Sequence, residues 1–158
     1  MKYSLQTGAN NPILRSISDA VVKIDDEIKE LALILRKMMW SNDGVGLASP
    51  QIGKNLRVIA TTQWAKNKDR KKLLSETLMI NPEITEASKE TIIFEEACIS
   101  LPDITGNVKR HKNITVHYMD IKWHKQTKKY KDFNAVIIQH EIDHLDGILF
   151  IDKIMKKK

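Results

Sequence analysis

The sequence predicts an α+β fold, with antiparallel sheet packed around one central helix that carries the pattern H-E-x-x-H. Three observations lead there. Residues 134–146 read as a helix whose Ala135-Val136-Ile137-Ile138 run is apolar nearly all round, and such a helix is buried. Stretches near 56–61, 77–80, 91–95, 114–119 and 127–132 have strand character and are separated by turn signals such as Asn81-Pro82 and Gly106-Asn107. Between 25 and 40, Ile28, Leu31, Leu35, Met38 and Met39 recur at helical spacing. Strands preceding and flanking a buried helix favour α+β packing.

Taken in order, residues 1–16 form an irregular arm with a turn at Asn11-Pro12 and a short apolar anchor at Pro12-Ile13-Leu14. Asp25 or Asp26 caps the first helix, and Ser41-Asn42-Asp43-Gly44 ends it. Small residues then dominate Gly44-Val45-Gly46-Leu47-Ala48-Ser49-Pro50-Gln51-Ile52-Gly53, where a backbone turns tightly or approaches a ligand. No Lys-Ser/Thr pair follows these glycines, so this is not a phosphate loop. Leu56 to Thr61 alternates as a half-buried strand does. Residues 63–72 are polar and lysine-rich, as in a surface loop. Further on, Trp123 and Tyr130 flank a hairpin turn expected at Lys125-Gln126-Thr127, and both read as packing residues. Gly147 stops the last helix, and Ile148-Leu149-Phe150-Ile151 closes the core before a basic tail.

A chain of 158 residues is one domain, 1–158, long enough to bury a core without staples. Its 42% apolar and 29% charged composition is that of a globular protein, and no apolar run approaches the ~20 residues of a membrane span. The first residues lack the apolar segment of a secretory signal, and one cysteine rules out an intramolecular disulfide, so the expected location is the cytoplasm. An organellar or virus-encoded origin fits equally. The net charge of +6 comes largely from lysines at 66–72, at 122–131 and in the tail. Solvation of loops and a hairpin is their ordinary role. Weak association with the ribosome is the sharper reading. No motif for specific nucleic acid accompanies them.

The chemistry concentrates in Gln139-His140-Glu141-Ile142-Asp143-His144. Histidines four apart on a helix stand one turn above each other, so both imidazoles reach one metal ion. Glu141, rotated by about 100° from His140, is placed to act on a water rather than to ligate. This pattern performs hydrolysis with metal-activated water and a glutamate proton shuttle. A catalytic site usually has a third protein ligand. The histidine that metzincin proteases place after the glycine is here Phe150, which cannot bind metal. Cys98, the single cysteine, is a plausible thiolate donor. His111, His117 and His124 lack ligand spacing and read as structural or solvated.

Three segments together resemble the motifs of the peptide deformylase family, in the family's order: 44–53, Glu96-Ala97-Cys98-Ile99-Ser100, and Gln139 to His144. The likeness extends to Pro12-Ile13-Leu14-Arg15, Asn81-Pro82 and Gly147 to Asp152, almost the entire chain. The resemblance implies a metal-dependent hydrolase that removes the formyl group from N-formylmethionine of newly made polypeptides and releases formate. It implies Cys98, His140 and His144 as metal ligands with water as the fourth, and Fe2+ as the expected ion, with Zn2+, Ni2+ or Co2+ able to replace it. It also implies Glu141 as general acid and base, with the Gln51 side-chain amide and the Ile99 backbone N–H as oxyanion donors. Val45, Gly46, Ile99, Val136 and Ile137 are then expected to bind substrate, since Val136 and Ile137 precede His140 by four and three residues on one helix face. The expected partners are formylated nascent peptides, with no membrane, and the expected state is a monomer.

Three positions depart from the family pattern. Ala97 stands where glycine is common, Ser49 where a second alanine is common, and Thr105 where many members carry an arginine near the substrate backbone. None removes a ligand, the glutamate or the glutamine. Two rival functions share some of these features. A metallo-endopeptidase would use the same helix but leaves Cys98 and the 44–53 loop unexplained. A non-catalytic binding protein would not need every catalytic group.

Overall fold

The computed structural model describes residues 2–65 and 72–156. Helix α1 spans Asp26–Ser41. Asp25 caps it by accepting a hydrogen bond from the Ile28 amide, and Asp26 and Glu27 place negative charge at its positive end. Its stripe of Ile28, Leu31, Ala32, Leu35 and Met39 is buried, each large side chain contributing roughly 1.5–3 kcal/mol.

Strand β1 (Gly46–Ala48) leads into a short 3-10 helix (Ser49–Ile52), followed by β2 (Val58–Trp64) and β3 (Leu73–Ala87). Strands β4 (Thr91–Cys98) and β5 (Leu101–His111) form a separate two-stranded sheet, and β6 (Asn113–Met119) and β7 (Lys125–Lys131) return to the first. That main sheet has the order β1-β2-β3-β6-β7 and is antiparallel throughout. Helix α2 (Asp132–Leu145) and a second 3-10 helix (Phe150–Lys153) complete the chain.

Period-two alternation sends neighbouring residues to opposite faces of the main sheet. Ala48, Ile59, Met79, Val116, Tyr118 and Tyr130 pack on Ala135, Ile138, Ile142 and Leu145 of α2. Leu47, Val58, Ala60 and Ile80 pack on Ile28, Leu31, Leu35 and Met39 of α1. The result is helix, sheet, helix in three layers. A third cluster, Leu14, Cys98, Leu101, Val108, Leu149 and Phe150, seats the β4–β5 hairpin against the N-terminal arm and the end of the chain.

Several sequence expectations need correction. Strand β5 has no clean alternation around Gly106-Asn107, which read as a turn. Its partner β4 supplies the missing order through a ladder from Thr91↔His111 to Ala97↔Thr105. His111 ends β5. Asn81-Pro82 does not end β3 but bulges it, between Ile80 and Glu83, where a strand tolerates proline. Asn81, at φ 51°, exchanges two side-chain hydrogen bonds with the Val21 backbone and so ties down the arm. Lys125, Gln126 and Thr127 belong to β7, and the turn lies earlier, at Asp120 to His124. Trp123 sits inside that turn at φ 64° and is 38% exposed, whereas Tyr130 is buried as expected. Of the expected 63–72 loop, Gln63 and Trp64 extend β2, and 66–71 lie outside the described residues. Edge strand β7 exposes Lys125, Lys128, Lys129 and Lys131, charges that discourage edge-to-edge pairing.

Candidate metal centre and substrate cleft

Helix α2 positions the site because it is buried on nearly every side, including Val136, Ile137, Glu141 and His144. His140 and His144 stand one turn apart, with ring centroids 5.0 Å apart and planes at 73°. Cys98 ends β4 at a bulge between Ala97 and Cys98 that turns its thiol towards the helix. Donor atoms of Cys98, His140 and His144 all lie within 4.8 Å of one another, and Cys98 Sγ is 3.3 Å from His144 Nε2. A tetrahedral ion with metal–sulfur near 2.3 Å and metal–nitrogen near 2.0–2.1 Å requires donor atoms about 3.3–3.6 Å apart. The three residues fit a divalent metal.

Each imidazole has a different setting. His140 Nδ1 is held by Glu96 Oε2 at 2.8 Å, which leaves Nε2 as the nitrogen able to ligate. Phe150 stacks on the His140 ring at 6.0 Å, so the residue at the metzincin ligand position serves as packing. Burial alone would lower the His140 pKa, but hydrogen bonds to Cys98 and Glu96 raise it to about 10. His144 is pushed well below its usual value by burial and by the charge of His140. Its Nδ1 finds no hydrogen-bond partner among the described residues.

Behind His140 lies a charged chain that sequence reading missed. Arg110 on β5 clasps Glu96 with Nε (2.7 Å) and Nη2 (2.9 Å), and gives Nη1 to Asp143 Oδ2 at 2.5 Å. Arg110 and Glu96 are almost fully buried. Burial pushes the Glu96 pKa up, but Arg110 and His140 overcome it and hold the carboxyl at about 2. No periodicity marks Arg110. The only sequence hint was Asp143, three residues after His140 on the same helix.

Glu141 faces β1 so closely that a Cβ on Gly46 would lie 2.5 Å from its Oε1. Glu141 Oε2 is buried with no hydrogen-bond partner among the described residues. Burial pushes this carboxyl up to about 7, within reach of proton exchange near neutral pH. Gln51, in the first 3-10 helix, accepts from the Ala48 amide at 2.8 Å, which fixes the orientation of its side chain. Its Nε2 then points to Cys98 Sγ (3.4 Å) and Ser100 Oγ (3.1 Å).

These groups line a cavity of about 410 Å³ that also includes Val45, Gly46, Ile99, Val136 and Ile137. Every residue expected at the site therefore lies in it or, for His144, directly behind it. Phe94 and Phe133, which were not anticipated, stack at 5.1 Å on the cavity wall. His111, His117 and His124 lie outside the cluster of donor atoms. Ala97 is absent from the residues with positive φ, so alanine carries no backbone strain. The Ser49 hydroxyl donates to the Leu56 carbonyl. Thr105 is exposed opposite Ala97.

Known proteins share both the sequence and this architecture. The polypeptide deformylase family model matches residues 7–158. The peptide deformylase of Endomicrobium trichonymphae is 43% identical over 142 residues, covering 90% of this chain and 80% of the relative. That of Desulfotalea psychrophila is 37% identical over 148 residues, covering 94% and 85%. Among solved structures, the Met-Ala-Ser-bound class I type b peptide deformylase of Acinetobacter baumannii superposes with a TM-score of 0.89 at 31% identity, over 98% of this chain and 99% of that one. The Thermotoga maritima peptide deformylase gives 0.87 at 32% identity, covering 99% of each. With a match across nearly its whole length, this chain belongs to the peptide deformylase family.

Proposed function

We propose that Cys98, Gln51, Ile99, His140, Glu141 and His144 perform the family's reaction in this protein. The protein is a hydrolase that removes the N-formyl group from newly made polypeptides, releasing formate. One observation carries the residue-level reading: a thiol and two imidazoles converge beside a buried glutamate whose Oε2 has no hydrogen-bond partner among the described residues, at a cavity large enough for a methionine side chain.

Cys98, His140 and His144 would hold one divalent ion. Thiolate and imidazole suit iron and zinc alike, and we assign Fe2+, with Zn2+, Ni2+ or Co2+ as substitutes. When bound, the ion supplies a water whose pKa falls from ~15.7 towards ~7 and polarises the formyl carbonyl. Glu141 takes a proton from the attacking water as its oxygen bonds to the formyl carbon. It then delivers that proton to the amide nitrogen as the carbon–nitrogen bond breaks, giving formate and a free amine. The Gln51 amide and the Ile99 N–H donate to the developing oxyanion, each worth about 2.7–4 kcal/mol of barrier. Val45, Val136 and Ile137 exclude water around the methionine side chain, and Gly46 lets the chain pass close to Glu141.

The reading extends to a monomeric single-domain enzyme acting in the cytoplasm. Among the described residues no helix is long and apolar enough to cross a membrane, and the single free cysteine suits a reducing compartment. The exposed lysines of β7 support weak association with the ribosome. The test is formate release from formyl-Met-Ala-Ser by protein loaded anaerobically with Fe2+. Release that stops in Glu141→Gln establishes the assignment. Cleavage of internal peptide bonds without formate would replace it with an endopeptidase.

A further inference from the structure

The segment after the second 3-10 helix touches both bodies that supply the site. Ile154 bridges to Val108 of β5, and the Met155 amide donates to the Asn107 carbonyl at 2.8 Å. Ile154 also fills the space over Gly106, where a Cβ would lie 2.6 Å from its Cδ1. The strap is thus laid along the hairpin that carries Cys98, Glu96 and Arg110. From that strap Lys153 reaches across to α2, and its Nζ lies 2.8 Å from both Oδ1 and Oδ2 of Asp143.

Charge explains why this contact matters. Glu96 and Asp143 are two carboxylates that share the single guanidinium of Arg110. The trio itself carries more negative than positive charge: Glu96 also faces His140, whereas Asp143, adjacent to His144 in sequence, has only its share of Arg110 and the contact with Lys153. Asp143 then competes with Glu96 for Arg110, and Glu96 is the group that holds His140 Nδ1. A second cation on Asp143 ends the competition and leaves Arg110 to Glu96. Lys153 is the only other cation paired with Asp143 among the described residues. Its side chain is 40% exposed, against 3% for Arg110, so it joins the chain without the desolvation cost of another buried ion.

We propose that Lys153 is a positioning residue: by neutralising Asp143 it keeps Arg110 on Glu96 and Glu96 on His140, and so slows loss of the metal ion. This rests on Cys98, His140 and His144 being the ligands. Direct outer partners of a ligand histidine change metal affinity by about 10–100-fold. Lys153 stands three contacts beyond Glu96, through Asp143 and Arg110, so a smaller effect of roughly 3–10-fold is expected.

The experiment loads the whole protein with Co2+, whose visible bands report the ligand field, and follows its removal by excess EDTA. Lys153→Met is expected to lose Co2+ about 3–10-fold faster, with shifted bands and an unchanged melting temperature of the metal-free protein. Lys153→Arg should restore both rate and spectrum. Lys156→Met removes the same charge from an exposed neighbour and should behave as wild type. A wild-type rate and spectrum in Lys153→Met would overturn the proposal. So would equal acceleration in Lys156→Met, which would make the effect one of net charge. If the wild type shows no cobalt–thiolate absorption, the ligand assignment fails, and the proposal falls with it.

Discussion

Helix α2 treats its buried polar groups in two opposite ways. Towards the cavity, Glu141 Oε2 is buried without a hydrogen-bond partner among the described residues. Away from it, Glu96, Arg110, Asp143 and Lys153 satisfy one another in an unbroken chain. An unpartnered buried polar group costs about 1–3 kcal/mol, so the first arrangement is a liability for folding. It persists where an ion, water and substrate complete the set. The satisfied chain does the reverse: it fixes the imidazole of His140 before anything binds. One side stores unmade bonds, and the other keeps them aimed.

The sharpest way to separate the two sides is to remove the polar character of each. Glu141→Gln keeps shape and burial but cannot shuttle a proton. Activity should fall by about 10²–10⁴-fold, while the metal-free protein melts no lower than wild type. A large loss of stability would show that Glu141 is structural. On the other side, Arg110→Met takes away the cation that two carboxylates share, leaving Glu96 with His140 alone and Asp143 with Lys153 alone, and should destabilise the fold by about 3–5 kcal/mol, read by urea unfolding. The pH dependence has a definite sign. Glu96 is held at about 2 against an ordinary value of 4.5, so its contribution is fully present above 4.5 and is lost as pH falls through about 2. Arg110→Met removes the larger of the two influences that lower this carboxyl, His140 being the other, and should move that acid branch to higher pH.

A smaller change tests how tightly the unsatisfied side is packed. In Gly46→Ala the new methyl would meet the Glu141 carboxyl and Cγ, at 2.5 and 2.8 Å. The glutamate has to move, at about 1–3 kcal/mol for overpacking. The loss should fall on kcat more than on KM, because the displaced group handles protons. An unchanged kcat would mean that Glu141 has room the structure does not suggest.

The two sides also differ in how far they could be read from sequence. The unsatisfied side was legible because its residues obey helical spacing: His140, Glu141 and His144, with Val136 and Ile137 one turn earlier. Cys98 was a candidate donor as the single cysteine of a chain with a two-histidine helix, whereas Gln51 became legible only through the joint resemblance of three segments. The satisfied side was hidden because its members meet through sheet pairing. Arg110 reaches Glu96 only once β5 lies antiparallel to β4, and β5 itself carried no alternation to reveal it. Lys153 sat in a tail that reads as plain solvated charge. Both helices, by contrast, appeared within about two residues of their observed ends. A capping aspartate and a glycine stop are local signals, and a two-sheet register is not.

The weakest perturbation asks whether the buried chain is special or whether any ion pair near the end of the chain behaves likewise. Arg15 and Asp152 provide the control. They form a two-pronged pair at 2.6 and 3.2 Å, but their side chains remain 31% and 40% exposed. The Arg15 hydrogen bond holds the Asp152 carboxyl below its ordinary 3.8. Its contribution is therefore complete above that value and lost as pH falls through the lower, folded one. Solvent screening limits such a pair to about 0–1 kcal/mol. Asp152→Asn should accordingly lower stability slightly at pH 7, by progressively less as pH falls below the ordinary carboxylate range, and less in high salt. Its metal-release rate should match wild type, because Asp152 is held by Arg15 and the Leu149 amide, and the charge of Lys153 is the smallest of the influences on its carboxyl. Faster metal loss in this variant would move the source of rigidity from the charges around Asp143 to the docking of the strap as a whole.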